Sequence, residues 1–452
     1  MEQQIGRIQF YQNMFRANKA YQEIEKKMKE TTCGTLSEEE ELYLYAMVPV
    51  LIEYVAWVIS DAIAAGKKRL YFLARDGYQM YLVAKKLTKV WGMDIECRYL
   101  AVSRFAMRVP EYHLLGEDCL ERICVGGIDV TFEKVCKRAA LTDAESYEAA
   151  KRCGWEKSYR RVLSYREVLN LKEILRHNEY FMEKAYSYSK ESYPKAIGYL
   201  RQEGLLDGTP FALVDSGWVG TLQQTIQRLL QSQDEKMRAE GYYFGMYEYP
   251  KGSRRIDYHT FYFSPVKGLK RKVYFSNCLF EAIFSAPEGM TLSYEKENEI
   301  YRPILDLKEN PNVVQLKKCI GVLEQFLQYY EEPMKKKANI SVVSSVVQNF
   351  MGNPTAIEVN AYGNTLFSDD VLEGHLQKVS AELSQEELRK QRFLSKIMIM
   401  VGIRKDVIHE SAWIEGSIIK NGINVAWNLK HAHFYKYFVY IRKWIQQGGK
   451  RE

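Results

Sequence analysis

The sequence lacks the short motifs that mark the best-known nucleotide and metal enzymes. Its 452 residues contain neither G-x-G-x-x-G after a strand-like run nor G-x-x-x-x-G-K-[ST], which argues against a dinucleotide site and a P-loop. H-E-x-x-H and G-x-S-x-G are also missing, so neither a zincin site nor an esterase nucleophile is indicated. No D-x-D triplet occurs, so the sequence has neither the aspartyl-phosphate phosphatase motif nor the metal-binding triplet of many glycosyltransferases.

Cysteine pairs, apolar runs and a signal peptide are missing too. The eight cysteines are scattered without a C-x-x-C pair, which predicts reduced thiols rather than a disulfide framework or a zinc site. The first residues, Met-Glu-Gln-Gln-Ile, have neither the charged nor the apolar region of a signal peptide. No uninterrupted apolar run approaches the roughly 18 residues that a membrane span needs. We therefore expect a cytoplasmic protein.

The charge balance and the apolar content limit which class of protein this sequence can encode. A net charge of +7 is modest for this length and predicts no nucleic-acid partner. An apolar content of 46% is ample for a core, and the length suits one large domain or two. We predict an N-terminal helical segment (1–66), a Rossmann-like α/β core (67–275) with a helical insertion at about 110–200, and a mainly helical C-terminal region (276–452).

The stretch 211–222, FALVDSGWVGTL, has the pattern of a buried strand that meets the start of a helix. At such a junction in a parallel sheet the first helical amides are unpaired and the helix dipole is positive, which favours an anion. Gly217 and Gly220 would let the backbone wrap closely around that anion. A tight turn that binds nothing gives the same pattern, and this alternative stays open. The residues assigned to this loop are Asp215 as candidate base or metal holder, and Ser216, Gly217, Trp218, Gly220 and Thr221 for ligand binding.

Two further strand-like runs end in polar pairs. The run 69–73 is followed by Arg75, Asp76 and Gly77, and the run beginning at residue 97 leads to Ser103 and Arg104. If these strands share one parallel sheet with 211–215, their loops converge on one edge. The arginines would then supply cations for a phosphate or carboxylate, and Asp76 would be a second catalytic candidate. An Arg75–Asp76 pair that only solvates a turn is the open alternative.

The order of the runs predicts the fold. Strand-like runs separated by helical patterns, with a fourth at 241–246, indicate right-handed crossovers and a mostly parallel, Rossmann-like α/β sheet. The basic, aromatic segment 251–275 is expected to add an antiparallel extension. The helical insertion either covers the crevice or forms a solvated subdomain away from it.

The last thirty residues combine aromatic and basic side chains without any low-complexity bias. Such a helix lies on a membrane surface or, more often, packs on its own protein. His431 and His433 point apart on a helix, so no metal site is expected there. The residues concerned are Trp427, Lys430, Phe434, Lys436, Tyr437, Phe438, Tyr440, Arg442, Lys443 and Trp444.

Several of these blocks occur together in a known family. The segments 75–77, 103–104, 215–221, 281–289 (EAIFSAPEG) and 413–416 (WIEG) resemble the C-terminal region of bacterial proteins labelled predicted HAD-superfamily hydrolases of surface-polysaccharide clusters. In that family the hydrolase label comes from an N-terminal domain with a D-x-D-x-T motif, which this sequence does not contain. The resemblance therefore implies a role in glycan assembly without implying phosphatase activity.

A second likeness concerns the loops alone. Asp215 with the 217–221 turn resembles the ribose-phosphate loop of type I phosphoribosyltransferases, and residues 75–77 resemble their pyrophosphate loop. Ser216 stands where that family usually has a second acid, which weakens ribose and Mg²⁺ binding. The combined expectation is a phosphorylated sugar or nucleotide-sugar as ligand, bound for hydrolysis or transfer. The cofactor is unknown, with Mg²⁺ as a candidate. The competing expectation is a non-catalytic interaction module that binds glycan-assembly proteins or a membrane.

Overall fold

A five-stranded, all-parallel sheet forms the centre of the molecule. The computed structural model describes residues 6–32, 34–127, 129–332, 338–368, 376–401, 403–404 and 408–446. The strands are β1 (Arg69–Leu73), β2 (Glu96–Leu100), β3 (Phe211–Trp218), β4 (Glu240–Met246), β5 (Tyr258–Phe263), β6 (Thr291–Glu297), β7 (Ile300–Leu305), β8 (Leu366–Phe367) and β9 (Gln377–Lys378).

Helices account for most of the remaining regular structure. Short π-helical or 3-10 turns occupy Tyr43–Met47, Gly116–Cys119, Glu156–Ser158, Arg255–Asp257 and Gln348–Gly352. The α-helices are α1 (Arg7–Arg16), α2 (Lys19–Thr31), α3 (Glu38–Leu42), α4 (Val48–Ala64), α5 (Gly77–Val90), α6 (Arg104–Leu115), α7 (Leu120–Ile123), α8 (Phe132–Arg138), α9 (Asp143–Arg152), α10 (Tyr165–Arg176), α11 (Glu179–Gln202), α12 (Thr221–Gln231), α13 (Leu269–Val273), α14 (Asn277–Phe284), α15 (Val313–Tyr329), α16 (Ile340–Val347), α17 (Ala356–Tyr362), α18 (Gln385–Lys390), α19 (Phe393–Met400), α20 (Ile414–Asn421) and α21 (Val425–Gln446).

The strand order in the sheet is β2-β1-β3-β4-β5, which confirms the predicted α/β, Rossmann-like fold. The chain moves outward from β1 to β2 and then returns to place β3 on the other side of β1. This reversal creates a switch point between the carboxyl ends of β1 and β3, where ligands bind in open parallel sheets.

Both faces of the sheet are covered, as the continuous apolar strands require. Leu70 and Phe72 of β1 belong to one core with α4, α5 and α15, whereas Tyr71 and Leu73 belong to another with α6, α11 and α12. All five residues of β1 are buried. Because side chains alternate between the two faces of the strand, each face of the sheet forms its own core with the helical layer that covers it.

The expected antiparallel extension after β4 is wrong. β5 pairs with β4 in the parallel direction, and the eleven residues between Met246 and Tyr258 make the crossover with only a 3-10 turn in place of an α-helix. A parallel crossover usually contains a helix. The charged pattern of this connection gave no sign of a helix, and the sequence therefore did not suggest a parallel crossover.

One continuous helix in the described part of the chain, Glu38–Ala64, is long and apolar enough to cross a membrane. The uninterrupted apolar run within it is shorter, as the sequence indicated, because Glu53 and Asp61 interrupt the apolar residues without interrupting the helix. Since 89% of its most apolar window is buried inside the protein, the helix packs in the core beneath the sheet.

The segment from α6 to α11 forms the predicted helical insertion and has a core of its own, built from residues between Val109 and Ala185. The region after 276 is helical but also contains the antiparallel hairpins β6–β7 and β8–β9. The boundaries of the proposed domains stay a prediction.

Candidate functional site

A cavity of about 430 Å³ opens at the switch point. The loops after β1, β2 and β3 form one side of it, and α14 and the 310–312 turn form the other. Ten of the predicted site residues line it, namely Arg75, Asp76, Ser103, Arg104, Asp215, Ser216, Gly217, Trp218, Gly220 and Thr221.

Gly77, the eleventh predicted residue, lies outside the cavity lining. It is buried as the first residue of α5, where an added Cβ would come 2.9 Å from the carbonyl carbon of Phe72. The close packing of α5 on β1 accounts for this glycine without a ligand.

Three carboxyl groups meet in the cavity: Asp76 after β1, Asp215 in β3 and Glu281 on α14. The Ser216 hydroxyl donates a hydrogen bond to Asp76, and the indole N–H of Trp218 donates one to Glu281. The amide of Ser216 donates to Oδ1 of Asp215 over 2.9 Å. Strand β3 therefore holds one acid and positions two others.

Burial and mutual repulsion shift these acids toward their protonated forms. Desolvation raises the pKa of Asp215 well above its ordinary value, and the charge of Asp76 raises it further. Desolvation likewise raises the pKa of Asp76. For Glu281, desolvation and then Asp76 raise the pKa to about 7. A carboxyl group poised near neutrality can both give and take a proton.

The described acids do not form a three-ligand metal cage. Within the described ranges, no group of three His, Cys, Asp or Glu side chains is placed to hold a metal ion. Mg²⁺ is usually held by one or two carboxylates together with ligand phosphates, so its binding here stays a prediction.

Arginines lie beside the acids on the insertion side. Arg104 begins α6, Arg108 follows one turn later, and Arg138 ends α8. Arg108 is only 7% exposed, and its Nη2 donates to the hydroxyl of Thr221 over 3.2 Å. The described residues place no hydrogen-bond partner at its Nε and no carboxylate within 4 Å of its guanidinium.

The electrostatic surroundings of Arg108 are unusual for an arginine. Desolvation, together with the nearby charges of Arg104, Arg122 and Arg138, lowers its pKa to about 10. Arg104 also acts on Asp76, Asp215 and Glu281, so it lies between the acidic and basic halves of the cavity. Among the described residues, the cavity thus contains a buried positive charge with no neighbouring carboxylate to neutralise it.

The β3–α12 loop has the backbone geometry that its glycines predicted. Gly217 has φ +118° and Gly220 has φ +67°. Added Cβ atoms, however, would lie 2.4 Å from the carbonyl oxygen of Gly245 and 2.7 Å from the ring of Tyr258, respectively. These glycines are needed for packing on β4 and β5, whatever they do for a ligand.

Two features of this loop bear on anion binding. Gly220 is the N-cap of α12 and provides no side-chain cap, so the first amides of the helix receive no capping side chain. The hydroxyl of Ser103, in contrast, is already engaged, because it accepts from the amide of Ala106 and donates to the carbonyl of Thr291. The β3–α12 loop at Thr221 is therefore a better anion site than the β2–α6 loop at Ser103.

Sequence reasoning did not assign roles to Glu281, Arg108 or Arg138. Glu281 lies inside the EAIFSAPEG block but, unlike the predicted site residues, does not follow a strand-like run. Arg108 had one signal, because it lies four residues after Arg104 and therefore on the same face of α6. Only the tertiary fold shows that this face meets α12.

The fold and the cavity define the chain as a doubly wound α/β protein with a charged crevice at its switch point. No protein-family model matches the chain, and no curated protein sequence matches it.

Proposed function

We propose that the crevice binds a phosphorylated sugar or nucleotide-sugar, with the phosphate beside Arg108 and the start of α12. The observation that carries this proposal is the buried Arg108 guanidinium, which has no carboxylate partner in the described structure. A buried charge without a counterion is costly, and a bound dianion would provide the missing partner. Arginine matches phosphate geometry through bidentate hydrogen bonds, and the uncapped amides of α12 add donors.

The acidic half of the cavity supports a sugar as the attached group. Sugar hydroxyls donate hydrogen bonds, and Asp76, Asp215 and Glu281 offer carboxyl oxygens to accept them. A free phosphate alone would gain nothing from this acidic half. A ligand with an anion at one end and hydroxyls at the other suits both.

The same acids favour a hydrolase or transferase. Glu281, with a pKa of about 7, is suited to protonate a leaving group or to activate an attacking hydroxyl. Asp215 is the second candidate, because its raised pKa keeps a proton available beside Asp76.

We place this activity in the cytoplasm and in surface-glycan assembly. The family resemblance of the 75–77, 103–104, 215–221, 281–289 and 413–416 segments supports the pathway. None of the seven cysteines in the described ranges is in a disulfide, which supports a reducing compartment.

Substitution of Arg108 by methionine tests the proposal. Arg108→Met should weaken binding of glucose 1-phosphate or UDP-glucose by roughly 10- to 100-fold, because a charge-assisted contact contributes about 1.5–3 kcal/mol. It should leave the ligand-free protein as stable as before or more stable, because an unpaired buried charge is removed. Calorimetry gives the affinity and urea denaturation gives the stability.

Arg69→Met is the matched control. Arg69 is equally buried at 7% exposure, but it pairs with Glu96 and with Asp207 at 2.8 Å. It lies at the amino ends of the strands, opposite the crevice. This variant should lose stability and keep its affinity. Equal affinity of the Arg108→Met and wild-type proteins for both ligands would contradict the proposal.

A further inference from the structure

Helix α21 packs on the protein through ion pairs and hydrogen bonds in addition to apolar contacts. On the side that faces the protein, Lys436 pairs with the buried Glu415 at 2.6 Å, and Lys443 pairs with Glu248 at 2.6 Å. His433 lies 3.0 Å from the carbonyl oxygen of Gly352 on the same side. The inward side of α21 is therefore held by ion pairs and hydrogen bonds.

The opposite side of α21 is apolar and open to solvent. Five residues share it: Trp427, Phe434, Phe438, Ile441 and Ile445, here called the outward face. They are between 36% and 63% exposed. Their spacing of seven, four, three and four residues places them in one stripe along the helix.

Neighbouring residues widen the outward face. Helix α19 lies against α21, with the rings of Phe393 and Phe438 6.0 Å apart, and its Leu394 is 66% exposed. Trp444, also on α21, is 44% exposed. Exposed apolar side chains gathered on two neighbouring helices, with two indole rings among them, are uncommon on a free protein surface and mark an interaction site.

The charges around this surface select its partner. The 22 residues of α21 include no Asp or Glu, while Lys430 and Arg442 are exposed beside the outward face. The ammonium of Lys430 lies 5.8 Å from the ring centroid of Phe434. Aromatic side chains flanked by cations suit the headgroup region of an anionic bilayer.

We propose that the outward face docks on an anionic lipid bilayer, with α21 lying parallel to the membrane plane. A second copy of the chain fits less well, because a two-fold contact would bring Lys430 and Arg442 toward their own counterparts. The inward ion pairs hold α21 on the protein, so the helix binds the surface as part of the folded domain. This proposal does not depend on the ligand proposed for the crevice.

Vesicle flotation with the full chain tests the proposal. The probes are vesicles of phosphatidylcholine alone and of phosphatidylcholine with roughly one-third phosphatidylglycerol, so that the two differ only in surface charge. The wild-type chain should float with the anionic vesicles. Phe434→Gln with Ile441→Gln should reduce that partition at least about tenfold, because two apolar side chains are lost from the interface.

Two further variants separate charge from apolar contact. Lys430→Gln with Arg442→Gln should reduce binding to anionic vesicles by about fivefold per charge and leave binding to neutral vesicles unchanged. Tyr165→Gln with Ile256→Gln is the control, since both residues are 70% exposed and neither lies on α21. Thermal unfolding followed by circular dichroism verifies that each variant is folded.

The membrane proposal fails if the wild-type chain floats with neither vesicle, or if the Phe434/Ile441 variant floats as well as the wild-type chain. It also fails if sedimentation shows a wild-type dimer that the Phe434/Ile441 variant dissociates, because the outward face would then be a subunit interface.

Discussion

At the scale of single residues, Glu281 is the crevice carboxyl group whose pKa is raised to about 7. It lies among two other carboxyl groups, and the Trp218 indole donates to it. Burial and the charge of Asp76 raise its pKa from 4.5 to about 7. An acid with a raised pKa makes the folded state hold a proton that the unfolded chain has already released.

This shift predicts a dependence of stability on pH. Below pH 4.5 the Glu281 carboxyl is protonated in both states, and above about pH 7 it is ionised in both. Between these values the unfolded state binds fewer protons, so the free energy of unfolding should fall as pH rises, by on the order of 1–3 kcal/mol. Asp76 and Asp215 act in the same direction, since their pKa values are also raised.

Glu281→Gln isolates the contribution of this one residue. Its slope of unfolding free energy against pH, measured by urea denaturation, should be shallower than that of the wild type. Glu297→Gln, which changes an exposed carboxylate on β6, should keep the wild-type slope. Identical slopes in all three proteins would show that Glu281 does not retain its proton in the fold.

The site residues that sequence reasoning located share one property, which is that they follow apolar strands directly. Asp76 and Asp215 could be placed at one edge because parallel strands bring their carboxyl ends together. Glu281 and Arg108 could not, because they reach the crevice from helices whose positions depend on tertiary packing. For them, one-dimensional periodicity holds no information about which neighbour a face will meet.

At the scale of elements, Gly217 in the β3–α12 loop is required both by its backbone conformation and by its close packing on β4. The Cβ of a residue at 217 would meet the backbone of β4, whose position is fixed by pairing with β3. Sequence alone indicated the glycines correctly but attributed them to a ligand.

Gly217→Ala should therefore destabilise the protein by about 3 kcal/mol or more, from a strained backbone and a clash that no side-chain rotation relieves. Gly66→Ala is the matched control, because Gly66 has φ +73° but nothing within 4 Å of an added Cβ. That variant should cost only about 1–2 kcal/mol. Urea denaturation measures both costs, and equal losses would mean that the contact with Gly245 has no energetic weight.

At the scale of the whole molecule, the helical insertion has its own core yet contributes to the crevice. Val125, Gly126 and Arg138 line the cavity, so the insertion contacts the site rather than standing apart from it. Its existence was predictable from helical spacing. Its separate core was not, because the sequence does not show which apolar faces pack on each other and which pack on the sheet.

Leu171→Ala tests whether the insertion opens as a unit. Leu171 is fully buried in the insertion core, so truncation should cost about 2–5 kcal/mol locally. In hydrogen exchange, protection should fall in α8 to α10 and persist in β1 and β3. Leu213→Ala in β3 should instead lower protection throughout. A uniform loss in the Leu171→Ala protein would mean that insertion and sheet unfold together.

The bond between Trp218 and Glu281 has an optical consequence. The indole of Trp218 lines the crevice, and its N–H donates to the Glu281 carboxyl, whose pKa burial raises to about 7. Indole emission responds to charge placed at its nitrogen end, so ionisation of Glu281 should change the emission of Trp218. Occupation of the crevice should change it as well. The protein thus contains a label-free fluorescent reporter within its own candidate site.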